Sequence, residues 1–134
     1  MENKRKHLEL IQGVINRMAR CSFLIKGWCI TIVTALIVLS TKENDFNVLR
    51  VSIFPIVVFW ALDGYFLYQE RLYRELYNQV RKLKEEQIDF SMNATVFKGD
   101  KKTWTGATFS LTLLLLYISL ILLVFISISV LQAL

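Results

Sequence analysis

Few side chains in this sequence could do chemistry, and the most informative are two isolated charges. Lys26 is the one charge in Phe23–Thr41, and Asp63 is the one charge in Val51–Tyr68. An ion left alone at the centre of a hydrocarbon layer costs several kcal/mol, so such residues are rare there and serve a purpose. Counting inward from outer boundaries near Ser40 and Val51, Lys26 lies about 21 Å deep and Asp63 about 18 Å, at a helical rise of about 1.5 Å per residue. The two charges therefore reach similar depth on helices that a short loop makes neighbours. Two readings stand: a Lys26–Asp63 contact, within one chain or between two, or two side chains that snorkel separately to the inner headgroups.

Nothing else has the makings of an active site. The single histidine, His7, lies in a charged N-terminal segment, so no metal cluster or catalytic dyad can be built around it. Glycine-rich phosphate loops, a nucleophile elbow and CxxC are all missing from the sequence. No catalytic residue, metal site or cofactor is expected, and the chain is not expected to be an enzyme. Cys21 and Cys29, about 12 Å apart along one helix, are too distant for a bridge and read as reduced packing residues.

Three further groups of residues are candidates. On a helix through Gly64–Gln87, Tyr65, Tyr68, Leu72, Leu76, Val80 and Leu83 share one face, close to a coiled-coil seam along which copies could bundle. Arg71, Arg74, Arg81 and Lys82 share the opposite face. That basic face is either a solvated surface, offset by i,i+4 carboxylates, or with Arg17 and Arg20 an anion-binding surface. In the last apolar stretch Thr105, Thr108, Thr112 and Ser119 fall within about 60° of one another on a wheel. They either hydrogen-bond to a neighbouring helix or line a pore, with Leu115, Leu122 and Ile126 as a dewetting gate. Glu43 and Asp45 would favour cations at an outer mouth, or belong to a solvated loop.

The elements that must position these residues are membrane spans. The chain is 54% apolar yet 20% charged, with a mean hydropathy of +0.44, more than a soluble domain of 134 residues carries. Thr103–Leu134 holds no charge at all and exceeds the roughly 18–20 residues that cross a ~30 Å hydrocarbon core. An all-α membrane protein is expected. Residues 1–20 form a cytosolic or interfacial amphipathic helix, with its stripe at Leu8, Ile11, Val14, Ile15 and Met18 to lie in the headgroup layer or pack on a partner helix, and 21–41 the first span. An external loop follows at 42–50, the second span at 51–68, a cytosolic helix and loop at 69–104, and the third span at 105–134. A hairpin that dips in and returns is the alternative for the first pair. Lysines and arginines gather before the first span and between the second and third, which places the N-terminus in the cytosol and Leu134 outside. Trp28, Trp60 and Trp104 fall near the inner ends. Met1–Arg20 does not read as a removable signal, because its polar region is long and no small-residue cleavage site follows.

The stretches RMARCSFLIKGW (Arg17–Trp28) and FWALDGYFLYQERLYRELYNQV (Phe59–Val80) resemble a family of small bacterial membrane proteins, the Hailong-type effectors of anti-phage defence. The resemblance covers roughly Leu8–Val80, and the plan is also similar to the short multi-span effectors of cyclic-oligonucleotide signalling. It implies an inner-membrane effector that assembles as a homo-oligomer, a tetramer, into an ion-conducting pore. A nucleotide or oligonucleotide made by a partner nucleotidyltransferase would control it from the cytosol, and infection would end in abortive death of the cell. A chain with three spans encloses no pore alone, so conduction requires several copies. Arg17, Arg20, Arg71, Arg74, Arg81 and Lys82 are then the candidates for ligand contact, with Tyr73 and Tyr77 available to stack on bases. Two other functions fit the same residues: a non-conducting anchor or scaffold that docks a cytosolic partner, and an unregulated toxin or holin.

Overall fold

The computed structural model describes residues 2–97 and 103–134, and among these the chain is all-helical. Lys98, Lys101 and Lys102, part of the basic count between the second and third spans, lie outside the described residues. Three stretches are long and apolar enough to cross a membrane: Glu2–Glu43, Phe46–Lys82 and Leu111–Ala133.

The first helix, α1 (Glu2–Glu43), is unbroken over 42 residues, a length of about 63 Å. No helix end falls at the expected boundary near residue 20. Its buried residues, His7, Ile11, Ile15, Cys29, Val33 and Ser40, recur at intervals of four, seven and fourteen. That spacing keeps one seam facing one partner from end to end. No proline interrupts it, since the single proline is Pro55.

Asn44 ends α1 in the left-handed region, with φ 54°, a conformation asparagine tolerates at a helix C-terminus. Asp45 then caps α2 (Phe46–Val51), its Oδ1 accepting from the Asn47 amide at 2.9 Å. Ser52 joins α2 to α3 (Ile53–Lys82), its Oγ donating to Leu49 O at 2.5 Å. The external loop expected at 42–50 is therefore a tight turn followed by helix, and α3 returns antiparallel along α1. At the far end Lys4 Nζ donates to the carbonyls of Arg81 at 2.9 Å and Leu83 at 2.7 Å, a cation on the negative end of α3.

Two cores result. In the first, Ile11 and Ile15 pack on Leu72, Leu76 and Val80, closed over by Ile88 and Ala94 from the segment after α3. The seam expected to bundle copies of the second helix is thus covered within one chain. Tyr73 and Tyr77 are packed against that core, half-buried. In the second, Cys29, Val33 and Ile56 meet Leu113, Tyr117, Leu120 and Val124 of α5 (Leu111–Ala133).

A short helix, α4 (Trp104–Thr108), precedes α5. The third span, expected as one helix over 105–134, is interrupted at Phe109–Ser110, where Ser110 turns extended with ψ 152°. The Thr108 carbonyl at that break accepts from the indole of Trp60 at 2.8 Å, so the break sits on a side chain that satisfies it.

Candidate functional site

Asp63 stands where all three long helices meet, and its side chain is entirely buried. Lys26 on α1 approaches its Oδ2 at 2.6 Å, and the Tyr117 hydroxyl on α5 donates to the same oxygen at 2.9 Å. Ser22, one turn before Lys26, donates to Oδ1, and Lys26 Nζ also donates to Ser22 Oγ at 2.6 Å. Both carboxylate oxygens are therefore taken by protein donors. A buried carboxylate is tolerable only with such partners, and here they come from separate elements. The result is a polar clamp that fixes the register of α1, α3 and α5 at one level. The Tyr117 ring lies parallel to that of Trp60, centroids 6.0 Å apart.

Gly64 explains how α4 can sit beside the clamp. A Cβ at this position would lie 2.9 Å from both Cα and Cβ of Thr108 and closer still to its hydroxyl. Glycine is required there by close approach. Trp104 secures the same corner, its indole donating to Ala61 O at 3.0 Å and its ring meeting Tyr65 edge-on at 5.7 Å. Tyr65, expected on the packed seam, is accordingly exposed.

On the side of the clamp toward residue 71 a cavity of about 250 Å³ opens between α1, α3 and the start of α5. Lys26, Arg71, Ser22, Ser110 and Thr112 supply its polar lining, and Leu67 and Leu113 are among its apolar walls. Glu70 reaches it too, but its Oε1 accepts from Arg74 Nε at 3.1 Å and Nη2 at 2.7 Å. Arg71 enters no ion pair among the described residues. Ser110 Oγ is buried without a hydrogen-bond partner among the described residues.

The sequence candidates distribute unevenly around this centre. Lys26 and Asp63 are brought together, and Arg71 joins Lys26 at the cavity. Arg74, Arg81 and Lys82 are exposed along α3, and Arg17 and Arg20 are exposed on α1. The polar stripe is divided: Thr105 and Thr108 belong to α4, Thr112 and Ser119 to α5. Two of its hydroxyls turn back on their own helices, Thr108 to Trp104 O at 2.8 Å and Ser119 to Leu115 O. Ser119 and Ile126 lie on the exposed face of α5, with Leu115 and Leu122 beside them. Of the outer-mouth pair, Asp45 is engaged as the α2 cap while Glu43 is exposed.

Comparison with family models, curated proteins and solved structures finds no match for this chain. Ser22, Gly64, Ser110 and Tyr117 were not singled out by residue type. The one signal that could have found Ser22 is its position one turn from Lys26, on the same face.

Proposed function

We propose that this chain is a multi-pass effector of the bacterial inner membrane that assembles as a homo-oligomer, a tetramer, into an ion-conducting pore. An anionic nucleotide or oligonucleotide made by a partner nucleotidyltransferase controls it from the cytosol, where the N-terminus lies, in anti-phage defence. The observation that carries this reading is the clamp. An ionised pair inside a membrane protein marks function by default, and this one ties every span to a single polar point. Its lysine also lines a cavity shared with Arg71, so an anion arriving there competes with Asp63 for the ammonium. Such competition is a direct route from ligand to helix register. Arg17, Arg20, Arg74, Arg81 and Lys82, exposed toward the same end, would draw an anion in. The likeness of Arg17–Trp28 and Phe59–Val80 to Hailong-type effectors supports the same reading. The scaffold alternative is less favoured because the Leu72–Leu76–Val80 seam is occupied by the chain's own Ile11 and Ile15.

Purified protein in liposomes tests it. Ion flux is expected from the wild type and is expected to change several-fold on adding a short oligonucleotide. The triple variant Arg71→Gln, Arg74→Gln, Arg81→Gln should lose that response. Absence of flux under every ligand would make the chain an anchor, and flux indifferent to ligand an unregulated pore.

A further inference from the structure

We infer that the cavity between α1, α3 and α5 is a binding subsite for a phosphate group. The inference rests on the reading of these helices as spans and adds a ligand class and a location to it. Four independent features converge on one small volume. Two cations, Lys26 and Arg71, line it, and among the described residues only Lys26 of these two has a carboxylate partner. Glu70 on the rim is neutralised by two bonds from Arg74, so the lining is left with net positive charge. Ser110 Oγ, buried and without a partner among the described residues, is a donor awaiting an acceptor. The cavity also meets the first turn of α5, a helix of 23 residues, through Ser110, Thr112 and Leu113. Amide hydrogens there have no intrahelical acceptor, and the helix dipole favours an anion.

A carboxylate would satisfy one cation. A phosphate, with several acceptor oxygens, can take Arg71 in a forked pair while also accepting from Lys26 and the Ser110 hydroxyl. The depth suits that group. Arg71 lies about 12 Å beyond Asp63 along α3, hence about 30 Å from the outer boundary, at the inner headgroup level. The phosphate is either that of an anionic phospholipid entering from the inner leaflet or a free phosphate from solution. Both present the same oxygens to the same residues.

Native mass spectrometry of the detergent-solubilised full chain separates the two sources. One arm adds phosphatidylglycerol with phosphatidylcholine as the zwitterionic comparison, and the other adds inorganic phosphate. Retained phosphatidylglycerol adducts, reduced at least fivefold by Arg71→Gln and by Ser110→Ala but unchanged by Arg50→Gln, a change at an exposed arginine of α2 away from the cavity, are the expected result for a lipid. Inorganic phosphate that competes those adducts away, or that itself raises the melting temperature of wild type but not of Arg71→Gln, identifies a free phosphate as the natural occupant. Ser110→Ala removes one hydroxyl at the break and leaves both cations in place, so it reports on the site even where Arg71→Gln fails to fold. No preference for phosphatidylglycerol or inorganic phosphate over phosphatidylcholine, or equal losses in Arg71→Gln and Arg50→Gln, overturns the inference. Because no flux is measured, a chain that binds phosphate and conducts nothing would refute the pore reading alone.

Discussion

Asp63 has no water to turn to when a partner is removed. With its oxygens held by Lys26, Tyr117 and Ser22, deleting one member strands the others in an apolar surround. Removing one side of such a buried pair costs about 3–5 kcal/mol, whereas replacing both with apolar groups can be nearly neutral. Lys26→Ala and Asp63→Ala are each expected to lower the unfolding free energy in detergent by that amount. The double change Lys26→Ala, Asp63→Ala should fall short of their sum by up to about 3 kcal/mol. Denaturant titration of all three measures it, and strictly additive losses would separate the two residues energetically. The sequence made this pair legible because each charge was solitary, and because helical rise from two loop ends carried both to one depth. Ser22 and Tyr117 were not legible. A serine in RMARCSFLIKGW and a tyrosine in an apolar run have no distinguishing chemistry until packing fixes the rotation of their helices.

Among the elements, three apolar helices and a basic extension of the second could be read from the sequence, but two features of their ends could not. At residue 20 the sequence changes from charged to apolar. Backbone hydrogen bonding is indifferent to that change, so α1 continues through it. The break before α5 carries neither proline nor glycine at Phe109–Ser110. Its cause is tertiary: Trp60 takes the Thr108 carbonyl, and Gly64 lets α4 settle against α3. Gly64→Ala should force these elements apart and destabilise the chain by about 1–3 kcal/mol, the usual range for overpacking. Gly13 is the matched control, being helical with nothing within 4 Å of an added Cβ. Gly13→Ala should stabilise by about 0.5–1 kcal/mol through helix propensity. Opposite signs in thermal melts are the expectation, and two shifts of the same sign would remove the close approach as the reason for Gly64.

At the scale of the whole molecule, α5 has two distinct faces. Leu113, Tyr117, Leu120, Val124 and Leu131 are buried against the rest of the chain, while Leu115, Ser119, Leu122 and Ile126 look outward. On α1 the small residues Gly27, Thr31 and Ala35 are also uncovered, and Thr31 satisfies its own hydroxyl on Gly27 O at 2.8 Å. A strip that small and that internally satisfied suits close helix contact. In a closed ring built from such contacts, the α5 face would turn toward the axis and meet its symmetry copies. Disulfide trapping tests this arrangement, because a bridge forms only where Cβ atoms come within about 3.5–4.5 Å. In a background with Cys21 and Cys29 changed to serine, Ser119→Cys and Leu122→Cys are expected to give covalent multimers on oxidation. Val124→Cys, fully buried within its own chain, should give none. Trapping at Gly27→Cys alone would keep the oligomer but move its axis away from α5, and with it the assignment of Thr112, Ser119 and Ile126 to a pore. Failure at every outward position, with a single copy in detergent, would leave no enclosed path for ions.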